Sequence, residues 1–443
     1  MNISNSLSIV WQNLRNESKS NPAFLPLVLL FSTIAMPLGV SNVLLGIYTL
    51  VVLITFKKTN LKISISLLLP IALFLWTVLS LFWSIDFKES TSVSRQITLF
   101  AIPLLFILQP QLKEIETRKI LDYFSGAMFG FAVFYLLKAS VRFLLTQEIE
   151  VFFYHELVTL KVNAIYVSFF FAMAFLHLYR KEAKTWKVYT ALIVLFILIV
   201  LLSSKNVLIT LLILMLIFHL LYQKRSRKAI LYFFTSLVVV LFILANIKQV
   251  RDRFLTEFQE KTVQNQSEEV QDLQQNGIRM VTVQEAWEAE KFSPNDFFSG
   301  TAFRVYQIRV FKELLQENSI FWQGFGFNAS QEKIQEKSND HNVFQGNETQ
   351  FGYGSLNFHN QYIQHFAEMG LIGVLILLCF ALMNLKNALQ SRDFLHFAFA
   401  ILLISLFLTE CFLYRQRGVV FIVLLYCVFN QKKVKNLKIL NNK

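Results

Sequence analysis

Long apolar runs separated by short polar gaps dominate this chain. A helix needs about 17–25 apolar residues to cross a bilayer core, and runs near that length fall at 23–38, 41–56, 63–83, 97–112, 120–145, 160–179, 188–204, 206–223, 229–247, 361–385, 393–409 and 412–430. The pattern predicts an all-α, polytopic membrane protein with about 12 transmembrane helices.

The gap at 248–358 differs in kind. It is polar, rich in Gln and Glu, and much longer than a connection requires, which predicts a large helical loop with a functional role. The charged stretch 249–275 is expected to be helical or partly disordered. Phe303, Val310, Phe311, Leu314 and Leu315 recur at helical spacing and predict a helix over 303–317. From Gly324 and Gly326 to Gly354 the Gly- and Asn-rich sequence reads as turns. Three units follow: a bundle of the first nine spans at 1–247, the loop domain at 248–358, and the last three spans with a tail at 359–443.

Composition narrows the class. With 55% hydrophobic residues, 46 Phe and 16% charged residues, the chain is too poor in polar surface for a soluble domain. The net charge of +13 would suit a nucleic-acid partner, but the positions of the charges argue for none. Lys57, Lys58 and Lys62 fill the second gap, Lys113, Arg118 and Lys119 the fourth, and Arg180, Lys181, Lys184 and Lys187 the sixth. Lys224, Arg225, Arg227 and Lys228 fill the eighth, Lys386 and Arg392 lie in the tenth, and Lys432, Lys433, Lys435 and Lys438 are in the tail. The odd gaps are lean or acidic, as at Glu148, Glu150 and Glu156. Under the positive-inside rule both termini are cytoplasmic and the long loop is extracytoplasmic, with the bilayer as the partner that the charges recognise. The N-terminus lacks a basic n-region and a cleavage site, so the first span is expected to remain as an anchor. Cys379, Cys411 and Cys427 have no metal-ligand spacing and read as small core residues. No metal or cofactor is expected.

Candidate chemistry collects where the loop meets the tenth span, at Asn357-Phe358-His359-Asn360. Histidine, with an unperturbed pKa of about 6.5, is suited to accepting a proton near neutral pH. Position alone fits equally an interfacial histidine that caps the helix together with Asn360. By the same token Arg304 fits a solvated helix charge, and Lys205 a side chain that reaches for headgroups.

His359-Asn360, with Glu368, Gly370 and Gly373 following, resembles the signature of the O-antigen ligase and polymerase superfamily. Three further stretches agree, in the family's order: Trp83-Ser84-Ile85-Asp86, Leu201-Leu202-Ser203-Ser204-Lys205-Asn206, and Gly300 to Gly326 with Arg304 opening the loop helix before Gly324-Phe325-Gly326. Two positions depart from the family. Lys205 stands where arginine is usual and lacks the bidentate fork that suits phosphate, and Ile308 stands where the loop helix often carries Trp.

The resemblance implies a metal-independent glycosyltransferase of the bacterial inner membrane with its active site facing the periplasm. It would move a glycan from undecaprenyl-diphosphate to an acceptor hydroxyl of lipid A core or a similar glycolipid, as in lipopolysaccharide biosynthesis. A polymerase of lipid-linked repeat units, for O-antigen or exopolysaccharide, shares the signature and is the alternative. A lipid-linked glycan transporter fits less well, since no two similar halves with broken helices stand out. His359 would be the base and Arg304 the first cation on the leaving diphosphate. Lys205, Arg309, Arg95, Arg415 and Arg417 are further diphosphate candidates, and Arg415 and Arg417 have a competing reading as ion-pair partners of Glu410. His341-Asn342 lacks the glycine pattern and reads as a loop element.

Overall fold

The computed structural model describes residues 16–158, 162–202, 204–223, 279–348 and 350–431, together with Gln12, Leu14, Thr235, Asn246 and Arg251. The apolar runs become α1 (Phe24–Ser32), α2 (Leu38–Ile54), α3 (Ile65–Leu79), α4 (Thr98–Leu108), α5 (Glu114–Thr146), α6 (Ala164–Tyr179), α7 (Trp186–Leu201) and α8 (Lys205–Ile217). The loop supplies β1 (Arg279–Val281), α9 (Val283–Glu288), β2 (Asp296–Phe298), α10 (Gly300–Glu317) and α11 (Gln331–Asp340), and α12 (Gln361–Ser391), α13 (Phe394–Phe407) and α14 (Gln416–Asn430) close the fold. The expected span at 229–247 and the charged stretch 249–275 lie almost wholly outside the described residues, as do the basic cluster at 224–228 and the tail.

The fold is mostly helical, and its helices fit a membrane protein. Among the described residues five stretches, Ile65–Phe82, Phe87–Leu108, Glu114–Thr146, Lys205–Tyr222 and Gln361–Ser391, are long and apolar enough to cross a membrane, and five further apolar helices are shorter. α1 has only 9 residues, so the count of twelve spans is not set by these lengths. Apolar side chains cover the outside as well as the inside: Ile54 is 81% exposed and Leu145 80%, which suits lipid and not water. Cys379 on α12 also faces outward, against its expected place in the core, whereas Cys411 and Cys427 are buried. α6 and α14 run through the centre with almost every residue buried, and the rings of Phe170 and Phe421 meet at 4.3 Å between them.

The two ends of the bundle are chemically distinct. At one end the basic residues of several gaps engage acidic partners: Lys181 and His177 contact Asp122 at 2.6 and 2.8 Å, and Arg180 contacts Asp393 at 2.7 Å. Lys119 pairs with Glu17 nearby. A cavity of about 1160 Å³ opens among these groups. The loop sits at the opposite end.

The loop has its own apolar core, which includes Phe292, Phe298, Phe303, Tyr306, Val310, Leu314, Ile320, Phe325 and Ile334. Phe303, Val310 and Leu314 of the expected stripe are buried, while Phe311 packs on Phe358 and Phe366 at 6.0 and 5.3 Å. α10 starts earlier than its apolar stripe because the Ser299 hydroxyl accepts the Ala302 N–H at 3.3 Å and caps the helix. β1 and β2 form a parallel pair in the register Arg279↔Asp296. Asp296 accepts a bidentate pair from Arg279 at 3.0 and 2.8 Å and the Ser293 N–H at 2.9 Å. Burial raises its pKa, but these bonds outweigh burial and hold it below the usual carboxylate value. Because the folded value is depressed, the stability from this pair is present above the unfolded carboxylate pKa of about 3.9. It is lost as pH falls through the lower folded value. Thermal unfolding followed from pH 7 downward is therefore expected to show an acid loss of stability that shrinks in Asp296→Asn, a variant less stable than wild type at pH 7.

Candidate active site

The loop is joined to the bundle through a break in α12. Gly370 has φ +64° and ψ −168°, which interrupts the helix in its first half. The turn of Gly324 and Gly326, at φ +72° and +100°, is laid along this break. The N–H of Phe325 donates to the Ala367 carbonyl and that of Gly326 to the Glu368 carbonyl, both at 2.8 Å, while the Leu371 N–H donates to Phe321 at 2.8 Å. A Cβ at Gly324 would lie 2.2 Å from the Glu368 carbonyl carbon, and one at Gly370 would lie 2.2 Å from the Trp322 carbonyl. Only glycine permits both this approach and the left-handed backbone.

The early turn locks the same joint. Trp83 Nε1 donates to the Gln323 carbonyl at 2.9 Å, the Ile85 N–H to Phe325 at 3.0 Å, and Trp76 Nε1 to Met369 at 3.0 Å. Asp86 caps a short helical turn by accepting the Glu89 N–H at 3.0 Å. Gly373 lies under the Trp76 indole, 3.5 Å away from where its Cβ would stand. The Glu368 carboxylate is 1% exposed and accepts from Gln364 Nε2 at 2.6 Å and the Ser330 hydroxyl at 3.0 Å. Glu368, Gly370 and the Trp83–Asp86 turn thus build and brace the junction between loop and bundle.

His359 follows directly, at the mouth of α12. It has φ +46°, a conformation that costs a non-glycine residue energy and is held by its surroundings. Its N–H donates to Asn357 Oδ1 at 3.0 Å, and its ring meets the edge of Phe303 at 5.9 Å. The cap of α12 is Asn360, whose Oδ1 accepts the N–H groups of Tyr362 and Ile363 at 3.0 and 3.1 Å. His359 is therefore not the capping side chain. Its Nδ1 lies 3.5 Å from Glu410 Oε1, and its side chain keeps 28% exposure.

Glu410 and its neighbour Thr409 form the hub that the other candidates reach. Arg304, half-buried on α10, donates from Nη2 to the Thr409 carbonyl at 3.4 Å and from Nη1 to Gly300 at 2.9 Å. Asn206 on the first turn of α8 donates to Thr409 Oγ1 and to the Ser405 carbonyl, each at 2.7 Å, and the Ser405 hydroxyl returns a bond to Asn206 Oδ1 at 2.5 Å. Lys205, half-buried, precedes Asn206. His359, Arg304 and the Lys205-Asn206 turn, far apart in sequence, converge on Thr409-Glu410.

Other candidates fall elsewhere. Arg309 donates from Nε to Glu313 at 2.8 Å and from Nη1 to the Ala289 carbonyl at 2.5 Å, so its fork is committed within the loop. His341 belongs to that network, 3.1 Å from both Glu313 Oε2 and the Tyr306 hydroxyl. Burial pushes its pKa below the ordinary value. Arg95 and Arg415 are exposed, and their segments are linked by Gln96 Nε2 donating to the Leu413 carbonyl at 2.7 Å. Glu410 contacts His359 in place of the expected partners Arg415 and Arg417. The roles of Glu410 and Thr409 were not read from the sequence: an acidic residue just past an apolar run was the available signal, and it pointed to the wrong partner. Among the described residues no three His, Cys, Asp or Glu side chains gather as metal ligands.

The arrangement suits proton removal beside cations. Nδ1 of His359 faces a carboxylate that can orient the ring, while Nε2 has no hydrogen bond among the described residues and can receive a proton. Comparison with known proteins bears on the same stretch. No curated protein matches the chain. Residues 190–378 match the family model described as O-antigen ligase, a range that takes in Lys205, Arg304, His359, Glu368 and Gly370. Over this stretch the chain is similar to the O-antigen ligase family.

Proposed function

We propose that the protein transfers a glycan from undecaprenyl-diphosphate to an acceptor hydroxyl at the loop end of the bundle, which faces the periplasm of a bacterial inner membrane. The observation that carries this reading is the convergence of His359, Arg304 and Asn206, which follows Lys205, on Thr409-Glu410. In the reaction the bond between the sugar C1 and the diphosphate oxygen breaks and a bond from C1 to the acceptor oxygen forms. The acceptor proton passes to His359 Nε2, and undecaprenyl-diphosphate leaves with the bonding electron pair. Arg304 and Lys205 stabilise the charge that grows on that leaving group, each charge-assisted contact contributing about 1.5–3 kcal/mol.

Removing one such contact costs roughly 10–100-fold in rate. Arg304→Ala is expected to lower transfer by that amount, and Lys205→Arg, which restores the fork, to keep or raise it. Initial rates at saturating acceptor check both.

The reading is tested with purified protein, an undecaprenyl-diphosphate-linked repeat unit and lipid A core. Glycosylated core with consumption of the donor is the expected product. Ladders of donor-linked repeats formed without any core would assign the activity to a polymerase. Donor left intact in every mixture would remove the transferase reading.

A further inference from the structure

The cavity at the end of the bundle away from the loop takes no part in the site at His359. Four segments enclose it: the start of α5, the end of α6 with the connection to α7, the connection from α12 to α13, and the end of α14. Its volume of about 1160 Å³ exceeds the range of about 300–1,000 Å³ usual for small-molecule sites.

Charge inside it is already compensated. Each lysine and arginine in the wall meets a carboxylate of the wall: Arg118 meets Glu114 at 3.5 Å, Arg180 meets Asp393 at 2.7 Å, and Lys181 meets Asp122 at 2.6 Å. The remaining acid, Glu182, is exposed. An anion or a cation entering here would compete with these pairs, so the wall suits neither a phosphate nor an amine.

Two buried polar groups of the wall are left over. His177 is 1% exposed and Thr117 6%. His177 Nε2 is taken by Asp122 at 2.8 Å, while His177 Nδ1 and Thr117 Oγ1 have no hydrogen-bond partner among the described residues. Buried polar atoms are costly to leave unpaired and in folded proteins find a partner. With Nε2–H donated to the Asp122 carboxylate, Nδ1 is an acceptor that needs a donor, and the threonine hydroxyl can give or accept a bond. A ligand hydroxyl answers both. Gln390 and Ser391 add exposed neutral polar groups, and Leu121, Val428 and Phe429 add an apolar wall suited to the C–H face of a sugar ring.

We infer that this cavity binds a neutral, hydroxyl-rich group, the sugar of a glycolipid or a free sugar, whose hydroxyls bond to His177 Nδ1 and Thr117 Oγ1. The site lies at the opposite end of the bundle from His359 and does not rest on the transfer reading.

The test uses full-length protein in phosphatidylcholine nanodiscs free of sugar detergents. Thermal midpoints are read as glucosyl diacylglycerol is added to the bilayer in rising fraction, or maltose to the buffer. A sugar is expected to raise the midpoint, and diacylglycerol, phosphatidylglycerol and phosphatidylethanolamine are not. A shift with the glucosyl lipid alone identifies a membrane glycolipid as the occupant, and a shift with maltose shows that a soluble sugar suffices. Thr117→Val keeps the shape and removes the hydroxyl. It is expected to bind the effective sugar about threefold to tenfold more weakly, with an unchanged midpoint in its absence, because that hydroxyl has no bond to lose. His177→Gln, whose amide can keep the bond to Asp122 while giving up Nδ1, is expected to weaken binding by a similar factor and decides if Thr117→Val does not fold. His359→Gln should keep the full shift, which separates the cavity from the proposed transfer site. No shift with either sugar, which would leave water as the occupant, a shift as large with either phospholipid, or undiminished binding by either folded variant would each overturn the inference.

Discussion

Replacing His359 with Gln is expected to reduce glycan transfer by about 10²–10⁴-fold, the usual worth of a positioned general base, while the protein stays folded. Glutamine approximates the size of imidazole and keeps a polar group beside Glu410, so the junction of loop and bundle is left intact. Asn360, and not His359, caps α12, so no helix end is exposed by the change. Among the described residues the ring's polar contact is with Glu410 at 3.5 Å, and its packing against Phe303 is edge-on. Little stability therefore rests on it. Transfer measured in membranes, with the amount of variant checked by immunoblot and gel filtration in detergent, gives both readings. Wild-type rates in His359→Gln would rule out this residue as the base.

The largest structural effect is expected at the broken helix. Gly370→Ala places a Cβ 2.2 Å from the Trp322 carbonyl at φ +64°. Backbone and not a movable side chain stands in the way, and the left-handed conformation disfavours any Cβ. A loss of about 3–5 kcal/mol follows, at the upper end for single substitutions, and the loop detaches from the 367–371 segment. The matched control is Gly130→Ala in α5, where a Cβ would meet nothing within 4 Å. It is expected to be neutral or to stabilise by about 0.5–1 kcal/mol. Thermal midpoints and the yield of monodisperse protein compare the two. Equal midpoints for Gly370→Ala and wild type would show that the break is not required.

Local signals in the sequence carried the helices, and long-range chemistry stayed hidden. Apolar runs located α3, α6 and α8 within a few residues because burial in lipid demands continuous hydrophobicity. α5 begins before its apolar run: its first turns, Glu114 to Lys119, are polar yet helical, with Glu114 and Glu116 at the positive end of the helix. In the loop, α10 was legible from its stripe. α11 was not, because Ile334 is its only buried apolar side chain and the flanking Gly and Asn residues suggested turns. The parallel pair β1 and β2 is three residues long, too short for a period to register.

The site divides along the same line. His359, Arg304 and Lys205 follow from the resemblance, and His359, Arg304 and Asn206, the neighbour of Lys205, meet at Thr409-Glu410. What each does there depends on contacts that no spacing encodes. Arg309, five residues after Arg304 on the same helix, was the third-ranked cation, and its fork meets Glu313 and Ala289. Glu368 and Gly370, which belong to the same signature, form the seat for the Gly324–Gly326 turn. That joint brings 83–85, 323–326 and 367–371 together, and hydrogen bonds across such separations cannot be read from periodicity.

A double-substitution cycle between His359 and Arg304 addresses most directly whether the base and the cation act on one substrate. Initial transfer rates are compared for wild type, His359→Gln, Arg304→Ala and the pair. Groups that serve one transition state are non-additive, so the combined loss is expected to fall well short of the product of the single losses. Losses that multiply in full would contradict a shared site.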